Sequence, residues 1–311
     1  MATGRSCGCA SGANGDHPVN LRDFLLLVAI CLIWALNNVV SKLVVGMWGV
    51  PPLSFAAARF VLVLLVTLPW LRPVPRPLWR ILLIGLFMGG GNFALLFIGL
   101  QTVTPSAAAV VIQAGVPITT LLSILILGER IHWRRALGIA LTLVGVLVVV
   151  WHPAMAISTG LLLVLGAAFS GSLGAVLMKQ MDSVAPLNFQ AWIALASVAV
   201  LLPLSALLEH DAVHLAVEAG WPMLAALLFS ALIVSVVAHT AYYGLIARYE
   251  ANLLAPLTLI TPLATIGLGV LITGDSLDTR MIVGSIIALT GVLIVALRRT
   301  GAPIAQAQEH S

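Results

Sequence analysis

The residues able to do chemistry in this chain are polar side chains set singly into long apolar runs. Arg59, in PPLSFAAARFVLVLLVTLP, is the one arginine well inside such a run. It stands about six residues from the start of the segment, or about 9 Å along a helix at ~1.5 Å per residue. A guanidinium at that depth calls for an anionic partner, and a carboxylate matches its planar fork. No Asp or Glu lies deep in any apolar segment to serve. The competing expectation is a side chain that bends back to the polar end of its segment. In VVAHTAYYG, His239 and Tyr243 share a helical face at i, i+4, beside Tyr242. An imidazole there could relay a proton, or serve only as a hydrogen-bond partner.

IWALNNVVSKL adds Trp34, Asn37, Asn38 and Ser41. Trp34, Asn38 and Ser41 fall at i, i+4, i+7, a polar seam with one aromatic wall. The adjacent Asn37 and Asn38 cannot share a face, so at most one points at a ligand while the other ties helices together. Asn92 ends MGGGN, whose glycines allow close backbone approach or local unwinding. Gln113 lies mid-segment, and Thr258, Gln190 and Trp192 are weaker candidates of the same kind. Ser170 and Ser172 have no His or Asp placed beside them. With no phosphate-cradling glycine loop, no metal-spaced His/Cys group and no acid pair in an apolar run, the chain reads as a non-enzyme without cofactor or metal. Cys7 and Cys9 sit in a polar N-terminal stretch and Cys31 in the first apolar run, so no disulfide framework is expected.

Composition dictates the elements that position these residues. Hydrophobic residues make up 61% of the 311 and charged residues 8%, with a mean hydropathy of +1.12. A soluble domain carries about 25% charged residues, so this chain cannot cover a water-facing surface and is expected to be an all-α polytopic membrane protein. Splitting at charges, Pro and Gly yields ten apolar runs: 22–45, 53–71, 79–100, 105–127, 136–151, 158–178, 187–208, 221–246, 252–273 and 281–297. The fifth and tenth are short for a span.

The charges orient these runs. With the N terminus inside, the cytoplasmic side receives Arg5, Arg22, Arg72, Arg76, Arg80, Arg130, Arg134, Arg135, Lys179, Arg248, Arg298 and Arg299. The outer side receives Lys42 and Arg280, together with Glu209, Asp211, Glu218, Asp275 and Asp278. This asymmetry predicts ten transmembrane helices with both termini cytoplasmic.

The chain also repeats itself. GERIHWRRALGIALTLVGVLVVV, from Gly128, returns as GDSLDTRMIVGSIIALTGVLIVAL, from Gly274; Gly128, Gly138 and Gly145 map onto Gly274, Gly284 and Gly291 at an offset of 146. The stretch from Leu25 aligns with that from Leu162, placing Lys42 opposite Lys179. The stretch from Pro51 aligns with that from Ala185, matching Pro52, Phe55 and Pro69 to Pro186, Phe189 and Pro203. Pro117 corresponds to Pro262. A repeat of five helices is odd, so its second copy must be inverted, which explains why the loop before the copied helix changes from basic to acidic. Residues 22–151 and 152–299 are the expected repeats, with 1–21 a disordered cytoplasmic leader and 300–311 a cytoplasmic tail. The small-residue stripes on the fifth and tenth helices are expected to be scaffold, and Pro117 and Pro262 to kink their helices.

IWALNNVVSKL, PPLSFAAARF, LGERIHWRRALGIALTLVGVL and RYEANLLAPLTLITPL resemble the EamA family of the drug/metabolite transporter superfamily, over about 22–299. PPLSFAAARF with RYEANLLAPLT looks most like its O-acetylserine/cysteine exporter branch. The second copy departs from the motif, with Gly274-Asp275-Ser276 for Gly-Glu-Arg. The resemblance implies a ten-helix transporter of the bacterial inner membrane, with a central cavity between the repeats and helices five and ten at the periphery. It implies alternating-access export of small polar metabolites, in the first place amino acids of the cysteine/O-acetylserine type. Another metabolite or drug, such as an aromatic amino acid or nucleoside, is the alternative, as is a receptor or scaffold without turnover. The partners expected are a small molecule and the lipid bilayer and no nucleic acid; a homodimer is left open.

Overall fold

The computed structural model describes residues 20–297 apart from 129–130, 132, 152–157, 182–183, 247, 250–253 and 255–256. Residues 1–19 of the expected leader, the 300–311 tail, Cys7 and Cys9, and the charged Glu129, Arg130, Arg298 and Arg299 lie outside the described residues. In lipid a spanning segment must satisfy its own backbone, which leaves an apolar run of this length the helix as its form. Among the described residues ten apolar helices follow: α1 Leu21–Met47, α2 Pro52–Leu71, α3 Leu78–Thr102, α4 Pro105–Leu127, α5 Trp133–Val150, α6 Thr159–Met178, α7 Pro186–Leu208, α8 Gly220–Leu245, α9 Leu257–Thr273 and α10 Thr279–Ala296. Among the described residues all but α9 are long and apolar enough to cross a membrane. A short helix, Ala212–Glu218, links α7 to α8.

Helices α5 and α10 run longer than a split at charged residues predicts. Arg134 and Arg135 continue α5 rather than ending it, and Arg135 donates to Thr120 Oγ1 at 3.1 Å. Asp278 caps α10 by accepting from the Met281 amide at 2.7 Å. Charge at these positions is helix end, not helix break.

The repeat is visible in local backbone. Gly128 (φ 68°) and Gly274 (φ 69°) close α4 and α9 in the left-handed conformation that a helix C-cap favours and a side chain disfavours. Helices α4 and α9 each carry a 3-10 turn, Ile112–Ala114 and Leu257–Leu259, ending three residues before Pro117 and Pro262. Proline lacks the N–H that the carbonyl four residues earlier needs, so the break falls at Gln113 and Thr258 in the two copies. Helices α3 and α8 each contain a π segment, Leu86–Gly91 and Phe229–His239.

The extensive helix packings join one repeat to the other: α5 with α10, α2 with α7, α3 with α6 and α7, α4 with α6, α1 with α9. At the α5–α10 contact a Cβ on Gly138 would meet the Gly291 carbonyl at 2.8 Å, and one on Gly145 the Ala288 amide nitrogen at 2.3 Å and the Gly284 carbonyl at 2.6 Å. Thr142 Oγ1 lies 2.9 Å from the Gly138 carbonyl and 3.5 Å from that of Ala288. The facing positions rise on one helix as they fall on the other, so the pair is antiparallel. The pairing of Gly138 with Gly291 maps onto that of Gly284 with Gly145 under the 146-residue offset. A pseudo-two-fold axis therefore passes by Thr142 and Ala288, perpendicular to both helices.

Candidate functional site

A cavity of about 290 Å³ lies between the repeats, lined by three helices of each. Trp34 comes from α1, Arg59 and Phe60 from α2, and Met88, Asn92 and Phe93 from α3. Gly171 comes from α6, Gln190 and Ile193 from α7, and Ser235, His239, Tyr242 and Tyr243 from α8. Its size is at the low end of ligand pockets, enough for one small molecule.

Arg59 is fully buried and turned into this space instead of back along its helix. Its Nε donates to Ser235 Oγ at 2.9 Å, and that hydroxyl donates to the Ser230 carbonyl at 3.0 Å within the π segment of α8. The guanidinium carbon lies 4.2 Å from the Phe93 ring centroid and 5.9 Å from that of Phe60, so the cation is held against aromatic faces. Its Nη1 is buried without a hydrogen-bond partner, and so is Trp34 Nε1.

His239 Nδ1 lies 2.7 Å from the Val234 carbonyl. A carbonyl only accepts, so Nδ1 carries a proton and Nε2 is the second ring nitrogen. The imidazole centroid is 5.2 Å from the Trp34 ring and 6.4 Å from Tyr243, and Trp34 meets Tyr242 edge-on at 4.9 Å. Asn92 Nδ2 donates to the Ala167 carbonyl on α6 at 2.7 Å, which leaves its amide oxygen as an acceptor. The glycines before it do what their position suggests twice over. They adopt π register, and a Cβ on Gly89 would lie 2.1 Å from Ser197 Oγ of α7.

Of the residues singled out in the sequence, the fold brings Trp34, Arg59, Asn92, His239, Tyr242 and Tyr243, with Gln190, around one cavity. It does not bring the others there. Asn37 Oδ1 accepts from Ser230 Oγ of α8 at 2.8 Å, and Asn38 Nδ2 donates to Thr265 Oγ1 of α9 at 3.3 Å. Both asparagines thus tie helices together, and the Trp34–Asn38–Ser41 seam parts after Trp34 because α9 packs over Asn38. Gln113 and Thr258 lie at the proline breaks of α4 and α9, helices that do not line the cavity. Trp192 Nε1 donates to the Leu71 carbonyl at 3.2 Å. Ser170 and Ser172 donate to the carbonyls of Phe87 and Gly115 at 2.8 and 2.9 Å.

Ser235 was missed in the sequence, although it stands at i−4 from His239 and i−8 from Tyr243. Phe60, Phe93, Met88 and Ile193 carry no signal that separates them from any other apolar residue of a span. Two of the acids assigned to the outer loops, Glu209 and Asp275, cap helices of the first repeat. Glu209 accepts from the amides of Leu53 and Ser54 at 2.9 and 2.6 Å, at the start of α2. Asp275 accepts from the Ser106 amide at 3.0 Å, at the start of α4.

The sequence alignment of the repeats extends into the cavity. The offset of 137 that relates Leu25 to Leu162 relates Trp34 to Gly171, and the offset of 134 that relates Pro52 to Pro186 relates Arg59 to Ile193. Both members of each pair line the cavity.

Fold and cavity define a polytopic helical membrane protein that encloses space for a small molecule between two related halves. The chain belongs to the EamA-like transporter family, whose model matches it twice, over residues 22–151 and 158–297. It is similar to the "Probable amino-acid metabolite efflux pump" of Escherichia coli (strain K12), at 30% identity over 88% of this chain and 94% of the relative. It is also similar to the "Uncharacterized inner membrane transporter YedA" of the same strain, at 27% identity over 82% and 84% of the two chains. A solved structure described as "Crystal structure of protein" shares the fold, with a TM-score of 0.61 at 20% identity over 89% of this chain and 98% of that one. The protein is a multi-pass membrane transporter of the bacterial inner membrane.

Proposed function

We propose that this protein is a secondary exporter of small polar metabolites, most specifically amino acids of the cysteine/O-acetylserine type. In this reading ten helices span the membrane as two inverted repeats, 22–151 and 152–299, with both termini in the cytoplasm. The cavity between α1–α3 and α6–α8 opens alternately to each side. The observation that carries the reading is that this cavity draws equivalent helices from both repeats, as a site on a pseudo-two-fold axis should. The efflux-pump name of a relative at 30% identity supports the direction and the cargo class. Trp34, Arg59, Asn92, His239, Tyr242 and Tyr243 are the proposed pathway residues, and His239 the group that exchanges a proton through Nε2.

Counterflow of labelled amino acids in proteoliposomes tests this. Uptake driven by preloaded unlabelled amino acid is expected. A scaffold would give no flux, and a drug exporter would ignore amino acids while moving organic cations.

A further inference from the structure

We infer that the cavity recognises its cargo by a single carboxylate, held by Arg59 and the Trp34 indole, and makes no charge contact with an α-ammonium. The substrate class is then small monocarboxylates, of which amino acids are one kind and their deaminated counterparts another. This rests on the transport reading of the same cavity.

The first ground is the pair of donors without acceptors. Arg59 is fully buried, no carboxylate pairs with it among the described residues, and its Nη1 is unpartnered. Trp34 Nε1 is a second buried donor without a partner in the same cavity. A buried cation and a buried N–H are both unfavourable until an acceptor arrives. The Nε of Arg59 is already bonded to Ser235, so the cargo meets the outer nitrogens of the guanidinium.

The second ground is what the lining omits. Arg59 is its one arginine or lysine, and no aspartate or glutamate is part of it. A dianionic phosphate would keep an uncompensated charge whenever His239 is neutral. An ammonium would find amide oxygens and aromatic faces but no counter-charge. The third ground is the broken symmetry: where the first repeat offers Trp34 and Arg59, the second offers Gly171 and Ile193. The anion therefore has one place to sit, and the rest of the cargo lies toward the second repeat.

The test uses two sets of three compounds on the full-length protein in proteoliposomes: L-cysteine, cysteamine and 3-mercaptopropionate, then L-phenylalanine, phenethylamine and 3-phenylpropionate. Each is scored as a competitor of amino-acid counterflow and as a thermal stabiliser of the purified protein. In at least one set the deaminated acid is expected to compete within about tenfold of the amino acid. The decarboxylated amine is expected to be at least about a hundredfold weaker, and Arg59→Gln, read by thermal stabilisation, to erase this preference. Should Arg59→Gln not fold, Trp34→Phe, which keeps a ring and deletes the N–H, is expected to shrink the preference severalfold. Amines that match the acids, or acids that fail without their amino group, would overturn the inference while leaving amino-acid export intact. Stabilisation by the acids without flux would uphold it and sink the transport reading. Neither flux nor stabilisation from any acid overturns both.

Discussion

The α5–α10 interface and the cavity both lie where one repeat meets the other, yet the first has no room for a methyl group and the second encloses about 290 Å³. At the interface the repeats keep the same glycines. Gly138 and Gly145 map onto Gly284 and Gly291, and each pair closes reciprocally on the other. In the cavity equivalent positions have diverged, Trp34 against Gly171 and Arg59 against Ile193. Symmetry is retained where the repeats must touch and abandoned around the cavity. Packing between identical small residues needs no polarity, because in lipid close van der Waals contact is itself what draws helices together. A polar, one-sided cargo needs different groups on its two sides, so a site on a pseudo-symmetry axis must break it.

The largest effect should come from filling the interface. A Cβ on Gly145 would sit 2.3 Å from a backbone atom of α10, so Gly145→Val is expected to lower stability by about 3 kcal/mol or more, read as lost monodisperse protein and a collapsed Tm in detergent. The same glycine-to-larger change at Gly267, where an added Cβ meets nothing within 4 Å, should leave Tm within a few degrees; an equal loss at both sites would end the distinction. Next comes Arg59→Gln, which should abolish counterflow by about a hundredfold. Because it removes an unpaired buried charge, Tm should hold or rise. A fall in Tm matching that of Gly145→Val would make Arg59 scaffold and not site.

Ser235→Ala is a finer probe. It leaves Arg59 in place but takes away the acceptor of its Nε, so apparent affinity should weaken about tenfold, the ~1.4 kcal/mol of one charged hydrogen bond, with maximal flux retained. Smallest is Asn38→Ala, which loses one interhelical bond to Thr265. About 0.6 kcal/mol is expected, seen as a shift of a degree or two in Tm with unchanged cargo preference. A changed preference would return Asn38 to the pathway.

The asparagine pair shows where reading the chain alone reached its end. Alternation of faces correctly forbids Asn37 and Asn38 a common direction, but the direction of either depends on where α8 and α9 lie. Ser230 took one and Thr265 the other. Arg59 was legible as a buried charge in want of an anion, whereas Ser235, Phe93 and Ile193, which shape the space around it, were not. Ser235 could have been found by extending the His239–Tyr243 spacing one turn back. The fifth and tenth segments look short in the sequence for another reason: a charge resembles a break there, although at helix ends charges cap and continue the helix.

The sequence by itself determined the class, the repeat, its glycine C-caps and its proline breaks. Lipid demands that each segment satisfy its own backbone, and that demand is written one segment at a time as apolar length, left-handed glycines and prolines. Tertiary structure alone decided which polar groups meet. A side chain's neighbours come from helices more than a hundred residues away, as Ser235 does for Arg59 and His239 for Trp34, and a donor is known to be unpaired only once every helix around it is in place.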